Sequence, residues 1–239
     1  MSGVQRRVAP KTRGLLRLVF LRHRAMSPDT RRESVLLMTA AQRINIALGK
    51  VPAWPLYILG VIPPAWFLYQ GLTGGLGADP IKALEHKLGE LALQVLIVVL
   101  AVTPIRNWFG VNLVKFRRAL GLLTFFYVFL HLLVWLVLDV QILSQIWADI
   151  IKRPYITIGM LGFVVMIPLA ITSNNLSIRK LGPKSWRRLH QATYVAAILG
   201  AVHFVMLAKG FQFEPLVYLG VILLLVASRF KLPLKRAVA

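Results

Sequence analysis

The chain contains no cysteine, and this absence excludes several kinds of site. Without thiols it can form no disulfide, no thiolate-ligated iron–sulfur cluster and no covalent haem link through a CxxCH motif. Any metal or metal-containing cofactor must therefore be held by His, Met, Tyr or carboxylate side chains.

Acidic residues are also scarce, with 8 Asp and Glu against 29 Lys and Arg. An excess of this kind is found in nucleic-acid-binding proteins. Here, however, 57% of the residues are hydrophobic and the mean hydropathy is +0.68, which is too apolar for an ordinary globular surface. The basic residues lie between apolar runs, so membrane topology accounts for them. We expect lipid as the surrounding medium and no nucleic-acid partner.

Six apolar segments predict transmembrane helices, since each is near the ~20 residues that cross ~30 Å of hydrocarbon. They are residues 52–70, 88–105, 119–138, 155–171, 189–207 and 215–228. The predicted fold is an all-α integral membrane protein, a six-transmembrane helix bundle.

The charges in the connections predict the orientation of this bundle. One side carries most of the cations: Arg106, Lys115, Arg117, Arg118, Arg179, Lys180, Lys184, Arg187, Arg188, Arg229, Lys231, Lys235 and Arg236. The other side carries fewer cations beside acidic residues: Lys82, Lys87, Lys152, Arg153 and Lys209 with Asp79, Glu85, Asp139, Asp149 and Glu214. The positive-inside rule therefore places both termini in the cytoplasm.

The chain divides into three predicted parts. Residues 1–50 form a basic cytoplasmic extension with 11 Lys or Arg and without the features of a secretory signal. Met26 and Met38 are alternative starts, so residues 1–37 are interpreted either as translated or as a start-site artefact. Residues 51–230 form the membrane domain, and 231–239 form a basic cytoplasmic tail.

Two histidines lie deep within predicted helices at matching heights. His131 is 13 residues beyond Arg118, or ~20 Å from the basic side, and His203 is 15 residues beyond Arg188, or ~22 Å. Ionisable groups inside a membrane span are costly and are functional by default. Two level imidazoles on two different helices predict the axial ligands of one haem b held between those helices.

Two further histidines are candidate site residues. His190 lies ~20 Å from His203 along the fifth span, which would place a second haem near the basic side. The residue level with it on the third span is Arg117 or Arg118, neither of which can ligate iron. His86, before the second span, is interpreted as an additional ligand, a proton carrier or a surface residue.

Other functions use the same residues differently. Intramembrane histidines also relay protons in channels and transporters, or bond a neighbouring helix in a membrane anchor. The sequence shows no inverted repeat and no Asp or Glu in the middle of a span, which disfavours transport.

Several motifs, taken in order, resemble one protein family. They are Gly75-Leu-Gly-Ala-Asp-Pro80, Leu84-Glu-His86, Arg117-Arg-Ala-Leu-Gly121, Leu130-His131-Leu132, Arg153-Pro-Tyr155, Leu169-Ala-Ile-Thr-Ser173 and Trp186-Arg-Arg-Leu-His190. As a set, over roughly residues 40–230, they are similar to the MsrQ (YedZ) family. These proteins are the haem-binding membrane subunits of the bacterial periplasmic methionine sulfoxide reductase system, within the ferric-reductase-like transmembrane superfamily.

The resemblance implies a b-type cytochrome with one or two haems in the bacterial inner membrane. It implies electron flow from a cytoplasmic flavin reductase or the quinone pool to a periplasmic molybdopterin-dependent methionine sulfoxide reductase subunit. The family's haem-linked histidines correspond to His131, His190 and His203, and FMN is also associated with the family. Larger relatives carry a fused flavin and nucleotide domain and a fourth haem histidine; this sequence has neither, so a separate electron donor is expected.

Overall fold

The computed structural model describes residues 39–208 and 212–229, and within them the chain folds into ten α-helices without a strand. In chain order they are α1 (Ala40–Lys50), α2 (Pro55–Leu59), α3 (Ile62–Leu72), α4 (Pro80–Phe109), α5 (Arg117–Val134), α6 (Leu143–Lys152), α7 (Pro154–Ile171), α8 (Asn175–His190), α9 (Ala192–Leu207) and α10 (Phe213–Ala227). A 3₁₀ turn, Val114–Phe116, precedes α5, and a π-helical stretch, Trp135–Val140, continues it. The predicted extension 1–37 and tail 231–239 lie outside the described residues.

Within the described residues, four helical stretches are long and apolar enough to cross a membrane: Pro80–Phe109, Val114–Val140, Pro154–Ile171 and Asn175–Leu207. A fifth is obtained if α1 and Pro55–Leu72, which are bent by 84°, count as one span. The remaining apolar helix, α10, has 15 residues. The all-α membrane bundle is therefore confirmed, whereas the number of six spans and the side of the termini stay predictions.

The predicted first span, 52–70, is interrupted in the structure. The chain forms α2, turns at Gly60 and Val61, and starts again as α3. Pro63 lies in the first turn of α3, where a missing backbone N–H costs nothing. Pro63 and Pro64 thus mark the start of a second helix within the predicted span.

The longest helix, α4, has clear start and stop signals. The Asp79 side chain accepts a hydrogen bond from the Lys82 backbone N–H, and Pro80 occupies the first turn. The helix ends at Gly110, whose φ of 71° is the left-handed conformation typical of a C-terminal cap. These local signals fix the register of the helix around which the bundle packs.

The bundle is built from two closely packed helix pairs, α4 with α5 and α7 with α9. A cluster of buried side chains on α4, α9 and α10 joins them: Leu93, Leu96, Leu100, Ala197, Ala201, Ile222 and Val226. The small residues of α9 let its backbone approach α4 closely, as is usual between membrane helices.

Charge separates the two ends of the bundle. We call the end with the α4–α5 connection and α8 the basic end, because no Asp or Glu of the described segments lies there. There Asn45 of α1 donates to the Gly110 carbonyl, and Lys115 Nζ donates to the Gly49 carbonyl at 2.9 Å. The opposite, mixed-charge end carries Asp79, Glu85, Asp139, Asp149 and Glu214.

Two connections between predicted spans are themselves helical. α6 at the mixed-charge end and α8 at the basic end contain no buried residue, and both have one apolar and one polar side. Such short amphipathic helices suit the membrane surface.

Candidate functional site

A cavity of about 200 Å³ lies between α4, α5, α7 and α9, toward the mixed-charge end. We call it the outer cavity. His131 from α5 and His203 from α9 both line it, and their ring centroids are 6.1 Å apart with the ring planes at 79°. The structure thus brings together the two histidines that the sequence placed at matching depth.

Each of these rings is held by one backbone carbonyl of a neighbouring helix. His131 Nδ1 lies 2.8 Å from the Glu85 carbonyl oxygen, and His203 Nδ1 lies 2.7 Å from that of Tyr155. A carbonyl can only accept, so both Nδ1 atoms carry the proton and donate it. Both Nε2 atoms are therefore left with a free lone pair, the arrangement typical of metal-ligating histidines.

The spacing of the two rings fits one metal ion between them. A metal–imidazole bond is about 2 Å long, and a ring centroid lies about 1 Å beyond the nitrogen, so two opposed ligands have centroids roughly 6 Å apart. Among residues 39–208 and 212–229, no group of three or more His, Asp or Glu side chains is placed to hold a bare metal ion. Two imidazoles alone suit a metal whose other ligands come from a macrocycle, as in haem.

His86 lies at the mouth of the outer cavity and is exposed. It follows Glu85 on α4, so its side chain starts next to the carbonyl that holds His131. The mouth also carries Asp139 and Arg153, and Arg153 Nε pairs with Asp149 at 3.2 Å. His86 is thus near the histidine pair but outside it.

A second cavity, of about 510 Å³, lies at the basic end. We call it the inner cavity. His190 lines it together with four cationic side chains and three large aromatic ones: Lys115, Arg117, Arg118, Arg187, Phe125, Trp186 and Tyr194. No acidic side chain is among the lining residues that the structure describes. A flat group with negative substituents would match this lining.

The His190 ring is fixed differently from the other two. Its Nε2 lies 3.0 Å from Thr172 Oγ1, and the ring stacks on Trp186 with centroids 3.9 Å apart. Thr172 Oγ1 donates its own proton to the Pro168 carbonyl, so it accepts from His190 Nε2–H. The free lone pair of this ring is therefore on Nδ1. His190 ends α8, and a single residue, Gln191, separates it from the start of α9 at Ala192.

One layer of side chains separates the two cavities. Leu96, Thr124, Met166 and Ala196 line both of them. Thr124 is fully buried and donates to the Leu120 carbonyl in its own helix, so the partition presents no free polar group there. Groups held in the two cavities would thus be close neighbours across an apolar wall.

The groups that hold these three rings were not apparent from the sequence. The carbonyls of Glu85 and Tyr155 have no side-chain signature, because every residue carries such an oxygen. Thr172 and Trp186 do stand in the quoted motifs. Trp186 is four residues before His190 on the same helix, whereas the contact of Thr172 with His190 requires the packing of α8 against the end of α7.

Residues 87–201 match the family described as "Ferric reductase like transmembrane component", a segment that includes His131 and His190. Over 186 residues the chain is 47% identical to "Protein-methionine-sulfoxide reductase heme-binding subunit MsrQ" of Brucella anthropi, covering 77% of this chain and 84% of that protein. Proteins of the same name from Brucella ovis and Brucella suis are also 47% identical, over 189 residues, covering 79% of this chain and 86% of each relative.

Proposed function

Given that the chain belongs to the MsrQ family of haem-binding subunits, we propose that it is a membrane b-type cytochrome of a methionine sulfoxide reductase system. The observation that carries the proposal is the histidine pair with centroids 6.1 Å apart and both Nε2 atoms free. His131 and His203 would hold the iron of one haem b between α5 and α9.

Bound haem b supplies a one-electron carrier, whose iron alternates between the ferric and ferrous states. The chain's own residues hold and orient it and keep water away. Apolar side chains of the outer cavity, among them Leu93, Phe163 and Phe204, form a low-dielectric lining. The carbonyl-bound Nδ1–H groups fix the tautomer of both ligands and raise the basicity of their Nε2 atoms.

His190 and the inner cavity support a second redox group, either a second haem b or FMN. His190 offers Nδ1 toward such a group, while Arg117 and Arg118 would neutralise carboxylates or a phosphate. Neither arginine can supply the opposite ligand to an iron, so a second haem would lack the symmetrical histidine pair of the first. The shared wall of the cavities supports transfer of electrons between the two groups.

Electrons would enter at the basic end and leave at the mixed-charge end. The proposed donor is a cytoplasmic flavin reductase or the quinone pool, and the acceptor is a periplasmic molybdopterin-dependent methionine sulfoxide reductase subunit. Each sulfoxide takes up two electrons and two protons and gives methionine and water, so the cytochrome must deliver two single electrons per turnover.

The charge separation of the two ends supports a topology in the bacterial inner membrane. We place the basic end in the cytoplasm, with residues 51–230 as the membrane domain of six spans. In this arrangement the basic segments 1–50 and 231–239, and therefore both termini, are cytoplasmic. The interrupted Pro55–Leu72 stretch and α10 would be the two spans beyond the four long ones.

Absorption spectra of the purified protein test the proposal. The wild-type protein should be red, with a Soret band that sharpens on reduction with dithionite, and His131→Ala or His203→Ala should remove most of the low-spin signal. His86→Ala is the matched control, because its side chain lies at the same cavity but outside the pair, and it should keep the spectrum. His190→Ala should lower only the content of the second group.

A colourless wild-type protein from haem-replete cells would contradict the proposal and favour a transporter or an anchor. The physiological role has a separate test, in which deletion of the gene should abolish repair of oxidised methionine in periplasmic proteins. Complementation by His203→Ala would contradict electron transfer through the outer cavity.

A further inference from the structure

A glycine lies one helical turn after the carbonyl that holds His131. The Glu85 carbonyl accepts from His131 Nδ1, and Gly89 is four residues further along α4. A Cβ atom built on Gly89 would lie 3.1 Å from His131 Nδ1 and 3.3 Å from its Cε1. The imidazole thus occupies the space that a side chain at this position would take.

The same arrangement recurs on the other helix pair. The Tyr155 carbonyl accepts from His203 Nδ1, and Gly159 is four residues further along α7. A Cβ atom on Gly159 would lie 2.8 Å from His203 Nδ1 and 3.0 Å from its Cε1. Two helices that do not follow one another in the chain therefore present the same carbonyl and glycine unit to the two histidines.

Helix geometry explains the spacing of four residues. Every Cα–Cβ bond in an α-helix points toward the helix N-terminus, so the side chain of residue i+4 lies over the carbonyl of residue i. That carbonyl already accepts the N–H of residue i+4 and has one further lone pair. A ring from a neighbouring helix can approach this lone pair more closely where residue i+4 has no side chain.

We propose that Gly89 and Gly159 are positioning residues for the two haem ligands. By leaving Glu85 O and Tyr155 O open, they fix the Nδ1–H tautomer and the ring orientation of His131 and His203, so that both Nε2 atoms face one iron. This inference rests on the proposed function, because it assigns a role to the glycines only if the two rings ligate haem.

General helix packing does not account for the two glycines. Gly162 and Gly200 also line the outer cavity, but a Cβ on either would meet its nearest neighbour at 3.5 or 3.6 Å, which is ordinary contact. Gly220 has nothing within 4 Å. The contact with an imidazole nitrogen is a property of Gly89 and Gly159 among these glycines.

The experiment compares Gly89→Ala, Gly159→Ala and the control Gly220→Ala in full-length protein purified from haem-replete cells. All three substitutions replace glycine by a better helix former, so helix propensity favours each of them. The readouts are the low-spin fraction of the ferric haem by electron paramagnetic resonance, and carbon monoxide binding by the ferrous protein relative to wild type. A six-coordinate iron has no free position for carbon monoxide, whereas an iron that has lost one histidine does.

We expect a graded result that follows the Cβ distances. Gly159→Ala should lose about half or more of the low-spin signal and bind carbon monoxide beyond the wild-type level, with a smaller change in Gly89→Ala and none in Gly220→Ala. If Gly159→Ala does not accumulate, Gly89→Ala carries the test, since its contact is the milder one.

Two negative results have different meanings. Wild-type protein without haem would refute the proposed function itself. Haem-loaded wild type together with Gly89→Ala and Gly159→Ala spectra equal to that of Gly220→Ala would leave the cytochrome intact and refute the positioning role.

Discussion

Arg229 ties the end of α10 to a proline-disrupted turn of α4, and its replacement gives a quantitative test of the fold. Pro104 lies inside α4 and has no N–H, so the Leu100 carbonyl receives no intrahelical hydrogen bond from it. Arg229 Nη2 donates to that carbonyl instead. Leu100 is fully buried, so the carbonyl has no access to water. Arg229→Met keeps the length of the side chain and removes the donor.

Two opposing effects determine how much Arg229→Met lowers the free energy of unfolding. An unsatisfied buried carbonyl and the lost hydrogen bond to a charged group cost about 1–3 kcal/mol. Removing a guanidinium whose Nε is buried without a hydrogen-bond partner recovers part of this, about 1 kcal/mol. The net destabilisation of about 0–2 kcal/mol corresponds to a fall in apparent Tm of up to about 8 °C for a chain of this length.

The fall in apparent Tm is measured by thermal unfolding in detergent, with intrinsic fluorescence as the signal, in the wild-type and Pro104→Ala backgrounds. Pro104→Ala restores an N–H that can reach the Leu100 carbonyl, so Arg229→Met should cost less than half as much in that background. Arg118→Met is the matched control, because Arg118 is an exposed cation at the same end and contacts Asn175 at 2.8 Å. An equal loss in both backgrounds, or a loss no larger than that of the control, would refute the assignment of Arg229 to the freed carbonyl.

Two further predictions concern single hydrogen bonds. Tyr127 is 2% exposed and donates to the Gly60 carbonyl at 2.7 Å. Tyr127→Phe should therefore destabilise the contact between α5 and the turn after α2 by about 0.6–1.7 kcal/mol, seen as a lower apparent Tm with an unchanged Soret band. An altered haem spectrum would contradict this purely structural role. Thr172→Val removes the acceptor of His190 Nε2–H and should slow reduction of the haem by the cytoplasmic donor or quinol. Reduction of the outer haem by dithionite should stay at the wild-type rate, and stopped-flow absorbance measures both rates. Equal rates of reduction by the donor in the variant and the wild type would contradict a role of this hydrogen bond at the inner cavity.

The matching depth of His131 and His203 follows from the sequence because helix rise is constant. Basic residues near Arg118 and Arg188 mark one membrane surface, and counting 13 and 15 residues from them gives equal depth. The same count cannot tell which helices are neighbours or where a ring points. The structure adds this information by packing α5 on α4 and α9 on α7.

A search for apolar runs cannot find the amphipathic helices α6 and α8 or the backbone carbonyls that hold the histidine rings. α6 is ten residues long and amphipathic, so it does not register as a span and its residues read as a connection. α8 has a break at Gly182, whose φ is 77°, followed by Pro183, and both residues are typical of a turn. A carbonyl such as that of Tyr155 becomes specific only when a second helix brings a donor to it.

The fold holds the two histidine rings of the outer cavity differently from the His190 ring of the inner cavity. His131 and His203 lie toward the C-terminal ends of α5 and α9, and each projects onto the backbone of the helix that packs most closely against its own, so neither ring depends on a loop. An iron bound by both would join the α4–α5 pair to the α7–α9 pair across the outer cavity. His190 instead stands at the end of α8, held by one hydroxyl and one stacked ring. The outer site, with both rings held by backbone carbonyls of neighbouring helices, favours fast electron transfer because little needs to move when the charge changes. The inner site, with its ring at the end of α8, is better able to adapt to a donor that binds and leaves.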